Sequence, residues 1–169
     1  MPDKSRDMED QSIDLNEDYK KALRKCGELL SRRDYSEKRL REKLAASDIC
    51  AEAADLAIAE MKKANYLDDR RYADSFVRSH LKDRSLARIR HDLMEAGIAD
   101  DIIAEAMESD DGNAMESGEL FQIRKYLEKK GYSAEKASYD ESMKLMAALY
   151  RRGFRPELIR KAMSDAADC

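Results

Sequence analysis

The chain has 169 residues, 43% hydrophobic and 40% charged, with a net charge of −4. That suits one or two small domains and excludes a large enzyme with a deep core. A single valine, no threonine and nine isoleucines leave too few β-branched residues for a sheet, while Ala, Leu, Met, Glu, Lys and Arg dominate. Composition therefore predicts an all-α protein. Its three cysteines, Cys26, Cys50 and Cys169, are odd in number and far apart, which speaks against disulfides or zinc and for a reducing compartment. No apolar run approaches the ~20 residues of a membrane span, and MPDKSRDMEDQ does not read as a signal peptide. A cytoplasmic location, away from membranes, is expected.

In chain order, residues 1–16 are polar and acidic and are expected to form a disordered tail. Tyr19, Leu23, Cys26 and Leu30 then step by four, three and four, which predicts an amphipathic helix. After it comes SEKRLREKLAASDI, with Leu40 and Leu44 one turn apart, then Asp48 and Ile49. A second stripe, Tyr72, Ala73, Phe76, Val77 and Leu81, precedes Ile89, Leu93, Gly97 and Ile98, in which LMEAGIADDIIAEAM stands at Leu93–Met107. A third, Leu120, Ile123 and Leu127, precedes Leu145, Leu149, Gly153 and Phe154, in which LYRRGFRPELIRKAM stands at Leu149–Met163.

These phrases are three copies of one, at offsets of 49 and 56 residues. Each has an aliphatic pair at i, i+4, then Gly or Asp where a helix must stop, then an apolar anchor before the next helix. Pro156 suits the first position of the last helix, where its missing N–H costs nothing, and Asp100 and Asp101 suit the start of the equivalent middle one. The fold expected is an all-α, elongated tandem array of three three-helix repeats: 17–66, 67–112 and 113–169. Ser109–Gly118, SDDGNAMESG, reads as a flexible joint between the last two.

Charge alternates along the chain. Residues 20–43, 70–92 and 121–161 carry net charges of +6, +4 and +6, whereas 44–69 and 93–120 carry −4 and −9. The first two helices of each repeat are basic, and the third with its following turn is acidic. Arg39, Arg88 and Lys144 occupy one column of the repeat, and Arg41 and Arg90 another. Such a row is either a solvated face with i, i+4 pairs or a surface for a polyanionic or acidic partner.

Nothing in the chain reads as catalytic, cofactor-binding or metal-ligating. Asp68 or Asp69 reads as a helix cap, the two histidines His80 and His91 have neither a nearby cysteine nor a second carboxylate at useful spacing, and no Gly-rich phosphate loop exists. An enzyme is not expected.

Two stretches carry more than helical patterning. RRDYSEKRLREKL, Arg32–Leu44, and NYLDDRRYADSFVRSHL, Asn65–Leu81, resemble the RecX regulatory protein family, with its Arg-x-Tyr-Ser-x-x-x-Leu-x-x-Lys-Leu and Tyr-Leu-Asp-Asp phrases. Asp48 and Lys82-Asp83-Arg84 stand where that family usually has glycine. The resemblance implies tandem three-helix repeats that bind the RecA recombinase filament on DNA and mainly inhibit its activities, without catalysis or cofactor. The residues expected to meet such a partner, or a DNA phosphate backbone, are Arg39, Arg41, Arg70, Arg71, Arg88, Arg90, Lys144, Arg151 and Arg152, on a monomer. The alternative is an autonomous binder of single-stranded nucleic acid, which the few aromatics in the basic bands (Tyr35, Tyr72, Tyr132) support weakly.

Overall fold

The structure, a computed structural model, describes the backbone of residues 4–108 and 112–166 and the side chains of 15–108 and 116–166. Among the described residues there are nine α-helices and no strand. They are α1 (Lys4–Leu30), α2 (Glu37–Ala45), α3 (Ala51–Lys63), α4 (Asp69–His80), α5 (Leu86–Glu95), α6 (Asp100–Glu108), α7 (Gly112–Lys129), α8 (Tyr139–Arg151) and α9 (Pro156–Asp165). None of the described helices is long and apolar enough to cross a membrane. Far-ultraviolet circular dichroism is expected to report a predominantly helical protein, and a substantial strand signal would contradict the repeat architecture.

The helices gather into two compact bodies, Met1–Tyr72 with Ala96–Ile98, and Ala73–Glu95 with Ala99–Cys169. In the first, Cys26 of α1, Leu40 and Leu44 of α2 and Ala53, Ala57 and Ile58 of α3 are buried together. The alanines let α3 lie close to its neighbours, and each buried leucine contributes roughly 1.5–3 kcal/mol. In the second body, Leu120, Ile123 and Leu127 of α7 pack with Leu149 of α8 and Ile159, Ala162 and Met163 of α9. These are the stripes that the sequence spacing picks out.

Each corner is built as its phrase requires. Asp48, Gly97 and Gly153 hold left-handed backbone at φ 53°, 82° and 82°, ending α2, α5 and α8. Ile49, Ile98 and Phe154 follow as buried anchors. Pro156 opens α9, and Asp100 and Asp101 occupy the first turn of α6.

Two expectations need correction. Residues 4–16, expected as a disordered tail, are helical and continue α1, with no glycine or proline to interrupt the backbone from Lys4 to Cys26. The joint expected at Ser109–Gly118 is helical from Gly112 onward, and Ser109–Asp111 lie outside the described residues. Gly118 is a packing glycine inside α7: a Cβ there would stand 2.8 Å from the Leu81 carbonyl oxygen.

Candidate partner-binding surface

The start of each second helix determines which side chains remain available to a partner. Ser36 caps α2, its hydroxyl accepting the Arg39 N–H at 3.3 Å. The same hydroxyl donates to the Ala96 carbonyl at 2.6 Å, just before Gly97. Ser85 repeats both bonds for α5, accepting from Arg88 at 3.3 Å and donating to the Arg152 carbonyl at 2.6 Å, just before Gly153. Both serines are buried, at 0% and 3% exposure.

The repeated phrase therefore answers a packing demand. A Cβ on Gly97 would stand 2.7 Å from Lys38 Cβ, and one on Gly153 would stand 2.7 Å from Ala87 Cβ. Lys38 and Ala87 are equivalent positions in successive repeats. Asp48, by contrast, is exposed.

A carboxylate completes each junction. Asp69 accepts the Glu37 N–H at 2.9 Å, and the 1%-exposed Glu119 accepts the Leu86 N–H at 3.5 Å and the Arg155 Nε–H at 2.6 Å. Burial pushes the Asp69 carboxyl up, opposed by the bond from the Glu37 amide. Glu37 is held below the usual carboxylate range by its bond from Lys62 and then by Arg41.

These bonds sort the expected cations. Arg41 pairs with Glu37 at 3.1 Å and with Asp55. Arg71 donates to the carbonyls of Asn65 and Tyr66, both at 3.0 Å, closing the end of α3. Arg88 pairs with Asp92 at 2.9 Å, and Arg39 with Glu42 at 3.3 Å. The Arg152 guanidinium lies 4.3 Å from the Tyr126 ring centroid. Arg70 is exposed and already engaged in an interaction of its own. Arg90 and Arg151 are exposed, with no ion-pair partner among the described residues. Lys144 is exposed and near enough to Glu141 to lower its pKa, behind the Ser138 bonds that dominate that shift.

The column of Arg39, Arg88 and Lys144 is only partly one structural row. Arg39 and Arg88 are the third residues of their helices, bonded to the capping serine. In α8 the cap is Ser138, whose partner in a reciprocal capping box is Glu141. The helix begins one turn earlier relative to its corner, so Lys144 falls in the second turn.

The histidine reading is also revised. His91 Nδ1 lies 4.0 Å from Asp92 and 3.9 Å from Glu95, one helical turn on. Their ligating atoms fall within 4.8 Å of one another. Asp92 is already held by Arg84 at 2.6 Å and by Arg88, so an added cation would meet two guanidiniums. Asp68 caps α4, accepting from the Arg70 and Arg71 amides at 2.8 and 3.1 Å.

Two basic clefts lie at the elbows between first and second helices. One, of about 400 Å³, is lined by Arg33, Tyr35, Arg39, Lys43 and Tyr72 together with Asp34 and Glu42. The other, of about 370 Å³, is lined by Lys130, Tyr132, Lys136, Lys144 and Leu145 together with Glu141. Sequence reasoning noted the tyrosines but did not bring them to the cations.

Helix triplets with glycine corners, serine-capped junctions and exposed arginines define an all-α tandem-repeat protein. Family models described as the second and third three-helix domains of RecX match residues 68–107 and 119–163. Regulatory protein RecX of Vibrio vulnificus (strain CMCP6) is 34% identical over 142 residues, spanning 83% of this chain and 89% of that protein. Regulatory protein RecX of Clostridium botulinum (strain Eklund 17B / Type B) is 30% identical over 151 residues, spanning 87% and 71%. The crystal structure of RecX from Lactobacillus salivarius superposes with a TM-score of 0.72 at 20% identity, covering 94% of this chain and 99% of that one. The chain belongs to the RecX family of regulatory proteins.

Proposed function

We propose that this chain binds the RecA recombinase filament on DNA and mainly inhibits its ATP hydrolysis and strand exchange. Kinship with the regulatory proteins named RecX carries the reading. The exposed arginines support it, because a net-negative protein with local basic bands suits a nucleoprotein better than bare duplex DNA. Arg90 and Arg151 are the best reporters, since no ion pair within the described residues would be lost with them.

The test is RecA-dependent ATP hydrolysis on single-stranded DNA, titrated with this protein and with Arg90→Glu/Arg151→Glu. The parent is expected to lower the rate, with no hydrolysis of its own. The variant is expected to bind the filament about tenfold or more weakly, with a flatter salt dependence. Its fold should hold, since exposed substitutions cost less than about 0.5 kcal/mol. No effect of the parent at excess would overturn the reading. Equal inhibition by parent and variant across a salt titration would remove these two arginines from the interface. The second reading, direct binding of single-stranded nucleic acid, is favoured by the tyrosines set among cations in both clefts.

A further inference from the structure

The two clefts grow from one sequence element. Arg33-Asp34-Tyr35-Ser36 and Lys130-Gly131-Tyr132-Ser133 both read cation, any residue, Tyr, Ser, and both follow the first helix of a repeat. Each tyrosine is half-buried and packs by one side on its own hydrophobic core. Each ring is thus held by packing on its core while the residue also lines its cleft. Arg33 lies over the Tyr35 ring, 4.7 Å from its centroid, extending the flat surface. The middle repeat has Lys82-Asp83-Arg84-Ser85, where the ring is replaced by an arginine bonded to Asp92.

Cations exceed carboxylates in both clefts: Arg33, Arg39 and Lys43 against Asp34 and Glu42, and Lys130, Lys136 and Lys144 against Glu141 alone. A simple polyanion would ask only for the cations. A ring recurring beside them asks for a ligand that brings a planar face with each charge. A nucleotide does this at every step of its chain, and an acidic peptide does not. Recurrence points the same way, because two clefts of similar make-up, each after the first helix of its repeat though not in one alignment column, suit a polymer that presents the same chemistry over and over.

We infer that each elbow cleft binds one nucleotide of single-stranded DNA. The base lies against Tyr35 with its overlying Arg33, or against Tyr132, and the adjoining phosphates meet Arg39 and Lys43, or Lys136 and Lys144. The inference rests on the second reading above and does not require RecA.

The test uses the full chain and a fluorescein-labelled oligothymidylate, followed by anisotropy without RecA. Tyr35→Leu/Tyr132→Leu keeps apolar packing but removes both rings, and is expected to weaken binding about tenfold or more. Tyr35→Phe/Tyr132→Phe should match the parent. Lys43→Gln/Lys136→Gln changes only exposed side chains, and should weaken binding and lower the salt slope by about two phosphate contacts. Should the leucine variant lose its helical signal, the glutamine variant carries the test. No binding by the parent, leucine and glutamine variants binding as the parent does, or polyglutamate competing as well as unlabelled oligothymidylate would each overturn the inference. RecA inhibition measured on the same proteins separates the two readings. Inhibition without oligonucleotide binding removes the clefts and leaves the RecA reading standing, and binding without inhibition does the reverse.

Discussion

Gly153→Ala is expected to lower the unfolding free energy by about 2–5 kcal/mol. Two costs add: left-handed backbone disfavours a Cβ by roughly 1–2 kcal/mol, and forcing a methyl into a filled site costs roughly 1–3 kcal/mol. The second applies because the new Cβ would stand 2.7 Å from Ala87 Cβ and 3.2 Å from Ser85 Oγ. Neither neighbour has a flexible end that can swing away. Gly97→Ala should behave alike, since Lys38 Cβ, fixed to its backbone, stands 2.7 Å from the new methyl. Gly131→Ala separates the two costs. Gly131 also has left-handed backbone, φ 65°, but nothing lies within 4 Å of its would-be Cβ, so only the conformational cost of about 1–2 kcal/mol remains. In a chain of this size the corner substitutions correspond to a melting temperature lower by about 5–15 °C. Urea unfolding of all three variants decides it: equal losses at positions 131 and 153 would mean that the corner is not close-packed.

Ser36→Ala and Ser85→Ala should each cost about 2–4 kcal/mol, from loss of an N-cap, typically ~1 kcal/mol, and of the partner of a buried or part-buried carbonyl, ~1–3 kcal/mol. Each hydroxyl has two tasks, accepting from its own helix and donating to a corner 60 or 67 residues away. Ser138 has only the first task and is exposed, so Ser138→Ala should cost no more than about 1 kcal/mol. Guanidinium or urea titration of the three alanine variants gives the comparison. A Ser138 variant as damaged as the Ser85 one would show that the cap bond, and not the bond to the corner, carries the effect.

The corner phrase, its aliphatic pairs and its glycines were legible because they depend on local spacing: a helix stop must sit a fixed distance from the residues that bury the helix before it. The serine junctions were not, although Ser36-x-x-Arg39-Leu40 and Ser85-x-x-Arg88-Ile89 are written in parallel at the same 49-residue offset as the corners. Nothing local tells that a capping hydroxyl has a second, distant acceptor. The early start of α8 was hidden because alignment on the corner glycine ignores where the helix begins. The row of cations reads differently in the structure, where two of its members have carboxylate neighbours on their own helices. Arg88 with Asp92 and Arg39 with Glu42 are ordinary i, i+4 and i, i+3 pairs, so position in a column says little about availability. The tail reads as polar and acidic, but polarity alone does not bar a helix, and no glycine or proline interrupts the backbone from Lys4 to Cys26.

The serine junction is also a statement about valence. Donor and acceptor sit on different surfaces, so the contact is heterologous, of the kind that propagates by translation and not by pairing through a two-fold axis. Among the described residues, the middle repeat has both halves, with Ser85 as plug and the Gly97 corner as socket. In the first repeat the socket glycine is replaced by Asp48, with its own side chain there, and in the third the plug Ser138 is satisfied by Glu141. At those two positions the complementary half of the junction is missing. Tandem duplication of the middle repeat should therefore add a helix triplet that reuses the same serine-to-corner bond, making the number of triplets a heritable count that one recombination event can change.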